Sequence, residues 1–352
     1  MRLDINLLKK VTEIAGAPGF ENRIRNFIQK EIIGLCDEQY VDNMGNLIAI
    51  KKGQTDRKVM AAAHMDEISF IVSHVEEDDG FIRFLPLGGF DPKTLVAQRV
   101  NIHTSQGDVI GVMGCKPIHV MTAAERKKMP EIIDFYIDTG YNKEDVLKMV
   151  EIGDPITRER ELIEMGECIN SKSLDNRISV YILIETLRAL KGKKIPYDFY
   201  AAFTVQEEVG LRGATVAASG VNPDFGIVLD VTLANEMPGA LPHEKITSLG
   251  EGAAVKVLDG SIISDQRMVK YLKGLAKKEN IKYQMELLPA GGTDGAALQR
   301  HAKGGSITGG ISIPLRYMHQ SIEMVHQNDV IEVTKLLISA VKNMDKPDWE
   351  LK

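Results

Sequence analysis

The amino-acid sequence predicts an α/β protein in which a mixed sheet is flanked by helices and a small all-β, barrel-like module is inserted. Apolar residues recur at helical spacing in residues 3–16 and 21–35, and strand-like runs follow them. Between residues 68 and 164 helical patterns become scarce, and short β-prone runs alternate with turn signals, which is typical of a barrel or sandwich. The α/β alternation then returns after residue 174.

Each predicted element has a local pattern that supports it. The two helices at the start end where Ala17-Pro18-Gly19 and the region after Leu35 interrupt the apolar spacing. The first segment then has strands at 40–41, 47–50 and 59–63. The inserted module has strands at 69–75, 81–86, 99–104, 109–114 and 132–137. The last segment has helices at 176–190, 211–219, 269–279, 295–300 and 328–343, and strands at 198–205, 226–229, 281–287 and 310–315.

Composition narrows the class of protein. The chain has 352 residues, 44% of them hydrophobic and 26% charged, which is ordinary for a globular protein of one large domain or two. A net charge of -6 gives no reason to expect nucleic acid or an anionic membrane as a partner. Cys36, Cys115 and Cys168 are few and far apart, which argues against a disulfide scaffold. We therefore expect a cytoplasmic protein.

Acidic residues and histidines follow apolar runs or open helices at six places. This position matters because α/β sheets carry their functional sites beyond the carboxyl ends of the strands. The six places are His64 with Asp66, Asp175, Glu207 with Glu208, Asp230, Thr293 with Asp294, and His319. Taken singly, most have an ordinary structural explanation, since an aspartate before a helix commonly caps it.

The adjacent pair Glu207 and Glu208 is harder to explain as ordinary structure. Two carboxylates at the end of a buried run repel each other, and burial of either without a partner is costly. A divalent cation would neutralise several carboxylates at once. Two histidines and several carboxylates form the mixed nitrogen and oxygen set that zinc, cobalt or manganese accept, with enough ligands for two ions if one carboxylate bridges them.

Six motifs together resemble the tetrahedral (TET) aminopeptidases, a family of co-catalytic metallopeptidases that includes cellulase M-like, glutamyl and deblocking aminopeptidases. The resemblance covers nearly the whole chain, including the β module, and the motifs occur in the family's order. They are His64-Met65-Asp66-Glu67, Leu174-Asp175-Asn176-Arg177, Gln206-Glu207-Glu208-Val209-Gly210, Asp230, Gly291-Gly292-Thr293-Asp294 and Arg316-Tyr317-Met318-His319.

The resemblance implies a zinc-peptidase-like mixed sheet and two divalent metal ions per subunit, zinc or cobalt first and manganese as a further candidate. His64 and Asp230 would bind one ion, Glu208 and His319 the other, and Asp175 would bridge them. The chain would then divide into a catalytic segment 1–67, an inserted oligomerisation domain 68–164 and a second catalytic segment 165–352.

The resemblance also implies roles for residues that do not bind metal. Glu207 would act as general base toward a water between the ions, and Asp66 would lie behind His64 and orient it. Thr293 and Asp294 would lie in the loop that shapes the substrate site.

The chain departs from the family pattern at two positions. Ser69 stands where a glycine is common, and Asn176 follows the bridging aspartate where many members have a second aspartate. Neither position is an implied metal ligand. The loss of a negative charge at Asn176 would affect metal affinity or metal preference.

The activity that the resemblance implies is removal of the N-terminal residue from short peptides. Self-association through the inserted module would form dimers and then a dodecamer, with neither nucleic acid nor membrane as partner. Three alternatives stay open: a related two-metal amidohydrolase such as a deacylase or carboxypeptidase, an endoglucanase, and a non-enzymatic binding protein. The preferred N-terminal residue also stays open, because the sequence alone places none of Arg212, Arg300 and Arg316 in a substrate pocket.

Overall fold

A computed structural model describes residues 2–351 of the chain. Its α-helices are α1 (Ile5–Glu13), α2 (Asn22–Glu31), α3 (Lys143–Met149), α4 (Leu174–Leu190), α5 (Arg212–Val221), α6 (Gln266–Lys278), α7 (Gly295–His301) and α8 (Gln327–Lys342). Its strands are β1 (Glu38–Val41), β2 (Leu47–Lys51), β3 (Thr55–His64), β4 (Ser69–Val75), β5 (Ile82–Leu87), β6 (Arg99–Thr104), β7 (Gly107–Cys115), β8 (Phe135–Asp138), β9 (Pro155–Arg158), β10 (Ile163–Met165), β11 (Cys168–Ser171), β12 (Tyr197–Thr204), β13 (Phe225–Leu233), β14 (Ala253–Leu258), β15 (Tyr283–Leu287), β16 (Ile307–Arg316) and β17 (Glu323–His326).

The larger sheet has a parallel centre and antiparallel edges. Its main path runs β1-β2-β12-β3-β13-β16-β17-β11-β10, and β14 and β15 branch from β16. The neighbours β12, β3, β13 and β16 are parallel to one another. Parallel strands with helices on both faces are apolar almost throughout, and the fully buried run Met60-Ala61-Ala62-Ala63 of β3 follows this rule.

Helices cover both faces of this sheet. The larger core includes residues of α1, α2, α4, α6 and α8, whereas α5 and α7 cover a smaller apolar cluster on the opposite face. Fourteen of the 17 residues of α4 are buried, so this helix is the central one of the larger layer. The first residues of α4 end up beside the carboxyl edge of the parallel strands, where the site lies.

The inserted β module is a closed six-stranded antiparallel barrel in the order β4-β5-β8-β7-β6-β9. Phe70, Phe84, Ile102 and Ile137 are among the buried side chains that fill it. The mixed α/β architecture with an inserted barrel was predicted from the sequence, and the structure confirms it. The sequence pattern did not indicate β9, which pairs with both β4 and β6 and thereby closes the barrel.

Several elements differ from their predicted bounds. The predicted strand 132–137 begins as a short 3-10 turn, and only Phe135–Asp138 is strand. Helix α2 ends at Glu31, and Ile33, which was predicted on its apolar face, is 68% exposed. Asp230 was predicted at the end of a strand, but β13 continues to Leu233 because its pairing with β16 extends to Leu315. β10, β11, β14 and β17 were not predicted.

The cysteines Cys36, Cys115 and Cys168 are free thiols. Within residues 2–351 the longest apolar helices are too short or too polar to cross a membrane.

Candidate metal centre and active site

The candidate site lies at the carboxyl edge of the parallel strands. His64 is the last residue of β3, and Asp230 lies near the end of β13. Glu207 follows β12, His319 follows β16, and Asp175 is at the start of α4. Because the carboxyl ends of parallel strands meet at one edge, residues far apart in the sequence converge there.

Asp175 lies between the two histidines. Its Oδ1 atom is 3.3 Å from Nε2 of His64, and its Oδ2 atom is 3.4 Å from Nε2 of His319. The two oxygens of one carboxylate therefore face two different imidazole rings. This is the arrangement expected of a carboxylate that bridges two cations.

The other predicted ligands surround the same two rings. Asp230 Oδ1 is 3.9 Å and Glu207 Oε2 is 3.7 Å from His64 Nε2, whereas Glu208 Oε2 is 3.4 Å from His319 Nε2. The potential ligand atoms form three groups, and within each group all atoms lie within 4.8 Å of one another. They are His64 with Asp175 and Asp230, Asp175 with Glu208 and His319, and His64 with Glu207 and Glu208.

The electrostatics of these carboxylates fit a divalent cation. Burial raises the pKa of Glu207 and of Asp230 well above the usual range, although His64 lowers both. Burial and then the charge of Asp175 raise the pKa of Glu208 to about 7, and Oε1 of Glu208 is buried without a hydrogen-bond partner. Carboxylates in this condition need positive charge, and a mixed set of oxygen and nitrogen donors suits zinc or a similar metal.

The neighbouring carboxylates raise the pKa values of the two histidines and so favour their charged forms. Burial opposes protonation of His319, but the hydrogen bond to Asp175 and the charge of Glu208 raise its pKa to about 10. The pKa of His64 is likewise raised against burial, by Glu207 and Asp175. Burial would raise the pKa of Asp175, but its hydrogen bonds to His319 and His64 lower it. The site therefore attracts positive charge throughout.

Asp66 lies beside His64, where the resemblance places it, and it makes further contacts. The backbone oxygen of Asp66 accepts a hydrogen bond from Nδ1 of His64 at 3.1 Å, whereas its carboxylate is 3.5 Å from that nitrogen. The carboxylate instead accepts the backbone N–H groups of Glu207 and Glu208, both at 3.1 Å. Asp66 thus orients His64 through its main chain and holds the glutamate pair through its side chain.

His319 is held by residues from both parts of the fold. Its Nδ1 atom donates to the backbone oxygen of Gly89, in the loop after β5, at 2.9 Å. Its own backbone oxygen accepts from Nη1 of Arg158, the last residue of β9, at 3.2 Å. The barrel therefore supplies two of the hydrogen bonds that fix this imidazole.

Sequence reasoning missed Glu323, the first residue of β17. Its carboxylate accepts the backbone N–H of Asp175 and of His319, both at 3.0 Å, so it holds two candidate ligands in one geometry. Burial and then the charge of Asp175 raise the pKa of Glu323 to about 8, although Arg158 opposes the rise. An acid four residues after a candidate ligand was the only signal in the sequence.

A buried ion cluster lies behind His64 and was also missed. Lys172 binds both carboxylate oxygens of Glu67, at 2.6 and 2.8 Å, and Arg177 is 3.6 Å from the same carboxylate. Arg177 also donates to the backbone oxygens of Met65 and Val11. The cluster ties the chain segment after β3 to α1 and α4.

The two positions that depart from the family pattern are buried in the structure. Nδ2 of Asn176 donates to the backbone oxygen of Leu229 at 2.9 Å, and its Oδ1 has no hydrogen-bond partner. Ser69 is the first residue of β4, and its hydroxyl also lacks a partner. Neither side chain belongs to the groups of ligand atoms described above.

A cavity of about 350 Å³, the site cavity, opens in front of the candidate ligands. Thr293 lines it, as predicted for a residue of the substrate site. Asp294 is not among the lining residues, and its predicted place in the loop that shapes the substrate site stays a prediction. The residue is 1% exposed, its carboxylate accepts the hydroxyl of Thr204, and it is the N-cap residue of α7 although its side chain makes no capping hydrogen bond. The site cavity is lined by His64, Asp175, Glu207, Glu208, Gly210, Leu211, Asp230, Val231, Leu288, Gly291, Gly292, Thr293, Met318 and His319.

A parallel sheet with histidines and carboxylates gathered at its carboxyl edge defines a class of metal-dependent hydrolases. The family model of M42 glutamyl aminopeptidase matches residues 45–336. The chain therefore belongs to the M42 peptidase family and is a peptide-bond hydrolase. This confirms the resemblance to TET aminopeptidases, and membership implies a divalent metal.

Relatives of known sequence match over the full chain. A putative aminopeptidase of Acetivibrio thermocellus is 40% identical over 96% of this chain and 98% of its own length. The lysyl aminopeptidase of Pyrococcus furiosus is 34% identical over 97% of this chain and 99% of its own. The family and these relatives support aminopeptidase activity.

Solved structures have the same fold. The TET aminopeptidase of Thaumarchaeota archaeon SCGC AB-539-E09 superposes with a TM-score of 0.94 at 34% identity, covering 97% of this chain and 96% of that one. The TET1 peptidase of Pyrococcus horikoshii, which can assemble into a tetrahedron or a large octahedral shell, superposes with a TM-score of 0.86 at 32% identity, covering 96% and 98%.

Proposed function

We propose that this chain is an aminopeptidase that uses two divalent metal ions to remove the N-terminal residue of short peptides. The observation that carries the proposal is the position of Asp175, whose two oxygens face His64 and His319 at 3.3 and 3.4 Å. One buried carboxylate shared between two histidine-containing ligand groups suits a pair of ions better than a single one.

His64 and Asp230 would hold one ion, Glu208 and His319 would hold the other, and Asp175, which belongs to both groups of ligand atoms, would be shared between them. The donor set suits zinc or cobalt, with manganese as a further candidate. When bound, the ions lower the pKa of a water and stabilise negative charge on the substrate carbonyl oxygen.

Glu207 is the proposed general base. It is 9% exposed, and Oε2 lies 3.7 Å from Nε2 of His64, at the wall of the site cavity. It would take a proton from the attacking water and deliver it to the leaving amine. Asp66 supports this role because it holds the backbone N–H of Glu207 in place.

A pair of variants separates the base from the ligand. Glu207→Gln should lower kcat by about 100-fold or more, because the proton acceptor is lost, while metal content stays at two ions per subunit. Glu208→Ala should lose one ion per subunit. Elemental analysis after dialysis and turnover of an aminoacyl p-nitroanilide measure both effects. Near wild-type turnover in Glu207→Gln would refute the base, and full metal occupancy in Glu208→Ala would refute the ligand.

Three substrates separate the proposed activity from the alternatives. We expect release of p-nitroaniline from substrates with a free N-terminal amine. We expect no hydrolysis of N-acetyl amino acids and none of carboxymethyl cellulose. Hydrolysis of the second class would indicate a deacylase, and of the third an endoglucanase.

The barrel is the proposed oligomerisation domain, spanning 68–164 between the catalytic segments 1–67 and 165–352. Half of the exposed large hydrophobic side chains within residues 2–351 lie in 68–164, which is about a quarter of the chain. Such side chains on one module favour contact with other subunits. Together with the shells of the TET1 peptidase, they support dimers that assemble into a dodecamer, whose interior would admit only short peptides.

Light scattering after size-exclusion chromatography tests this assembly. Ile118→Glu, at a side chain 60% exposed in the barrel, should give smaller particles than the wild type. Ile263→Glu, at a side chain 72% exposed on the catalytic part, is the matched control and should leave the particle mass unchanged. A monomeric wild type would contradict the proposal. The predicted cytoplasmic location stays a prediction.

A further inference from the structure

The site cavity has two kinds of wall. One is made of the proposed metal ligands and Glu207. The other is uncharged, and its side chains belong to Leu211, Val231, Leu288, Thr293 and Met318. Val231 and Met318, the sequence neighbours of the proposed ligands Asp230 and His319, therefore belong to the cavity lining as well. A substrate with its reacting bond at the ions would place its first side chain against this wall.

Within residues 2–351, no lysine or arginine side chain lines the site cavity. The nearby lysines and arginines make other contacts. Arg316 pairs with Glu236, Lys256 pairs with the buried Glu286 and Asp259, and Arg158 donates to the backbone of His319. Arg212 is exposed and contacts Gln206. A glutamate side chain entering the cavity would meet no positive charge apart from the metal site.

The acidic side chains that line the cavity already have proposed roles in the metal site or in proton transfer. The four that line it are the proposed metal ligands Asp175, Glu208 and Asp230 and the proposed general base Glu207. The hydroxyl of Thr293 donates to Asp259 at 2.9 Å, and Asp259 lies 3.2 Å from Lys256. No carboxylate outside the metal site therefore lines the described cavity to receive a lysine side chain.

Glycines keep room beside the uncharged wall. A Cβ atom at Gly210 would meet no heavy atom within 4 Å, so this position borders open space. A Cβ at Gly292 would lie 3.1 Å from Cβ of Ser261, so a larger residue would have to shift the loop. Gly210 and Gly292 therefore leave these parts of the cavity lining without a side chain.

We propose that the site cavity selects a neutral, apolar N-terminal side chain, of the size of leucine or methionine, over glutamate and lysine. This inference rests on the proposed aminopeptidase function. An apolar side chain gains by leaving water, whereas a charged one would lose its hydration without finding a partner. The selectivity would differ from the glutamyl activity in the family's description and from the lysyl activity of the Pyrococcus furiosus relative.

The test is a panel of Leu-, Met-, Glu- and Lys-p-nitroanilide with the metal-loaded full-length protein. We expect kcat/KM for leucine and methionine to exceed that for glutamate and lysine by about 100-fold or more. A higher kcat/KM for either charged substrate would overturn the inference but leave the aminopeptidase function intact. Failure to hydrolyse any member of the panel would instead overturn the proposed function.

A positive charge introduced at Leu288 tests whether the uncharged wall contacts the first side chain of the substrate. Leu288→Lys should raise the ratio of glutamate to leucine turnover by about 10-fold or more, because it supplies the missing cation. Leu287→Lys is the matched control: it adds the same charge one residue away, at a side chain 54% exposed that does not line the cavity. An unchanged ratio in Leu288→Lys, or an equal change in both variants, would show that this wall does not contact the first side chain.

Discussion

The mixed-sheet region and the barrel differ in how many charged side chains they bury. The mixed-sheet region buries complete ion clusters, such as Lys172 with Glu67 and Lys256 with Glu286. Among the described residues of the barrel strands and their connections, 69–158, the single buried charged residue is Arg158, and it lies at the junction with the site. Buried charge in this molecule is thus concentrated around the proposed chemistry.

The two regions also differ at their surfaces. The barrel fills its interior with apolar side chains and still exposes others, including Ile110, Ile118 and Val120. A monomer gains nothing from exposed hydrophobic side chains, whereas an assembly can bury them. The mixed-sheet region thus gathers the candidate cation ligands, whereas the barrel exposes apolar side chains, and the two regions meet at His319.

The largest expected effect comes from breaking a buried ion cluster. Lys256→Met leaves the carboxylates of Glu286 and Asp259 buried without their cation. We expect the free energy of unfolding to fall by about 3–5 kcal/mol, measured by urea denaturation.

The matched control breaks an exposed ion pair of the barrel. Lys116→Met removes the partner of Glu125 at a solvent-exposed site and should leave the free energy of unfolding close to that of the wild type. Equal losses in the two variants would show that the contrast in buried charge has no energetic consequence.

An intermediate effect is expected where the two regions meet. Phe90 stacks on Phe70 of the barrel core, with ring centroids 4.3 Å apart, and so anchors the loop that presents the Gly89 oxygen to His319. Phe90→Ala should weaken binding of the ion held by His319 by about tenfold, because the imidazole loses its fixed orientation. Chelator competition with elemental analysis measures this affinity without any turnover.

Phe81→Ala is the control for this coupling. Phe81 packs on Tyr136 elsewhere in the barrel, with centroids 4.7 Å apart, and does not contact the loop of Gly89. Metal affinity should stay at the wild-type value in this variant. If both variants bind metal as the wild type does, the barrel does not position His319.

The smallest expected effect is at an exposed contact between the regions. Arg23 of α2 binds both oxygens of Asp108 at 2.7 Å, and this contact lowers the pKa of Asp108 to about 2. A carboxyl with a lowered pKa stabilises the fold above its unfolded pKa and loses that contribution as the pH falls through the folded value. The loss therefore occurs between pH 3.8 and about 2.

Asp108→Asn should lower the free energy of unfolding at neutral pH by less than about 1 kcal/mol, because both side chains are more than 40% exposed. The difference from the wild type should shrink as the pH falls below 3.8. A difference that persists at the acid end, or that 1 M salt leaves unchanged, would show that the contact is not mainly electrostatic.

Local patterns were sufficient for the class of fold and for the choice of site residues. The apolar run of β3 ending at His64, the pair Glu207-Glu208 and the turn-separated β runs can all be read within a few residues of sequence. These patterns predicted the mixed sheet, the inserted barrel and the family, which are confirmed. The roles of metal ligand and general base were implied by the resemblance that the six motifs carry. The structure brings these residues together at one edge of the sheet, and the proposed variants test their roles.

The tertiary structure alone decided how these residues are held. Asp66 binds backbone N–H groups about 140 positions away, and Gly89 binds an imidazole 230 positions away. Glu323 and Arg158 enter the site through contacts of about 150 positions, and the carboxylate of Asp294 accepts the hydroxyl of Thr204. Periodicity reports only which face of an element is buried. Hydrogen bonds of a buried polar group depend on which strands become neighbours, and that is settled when the sheet and the barrel pack together.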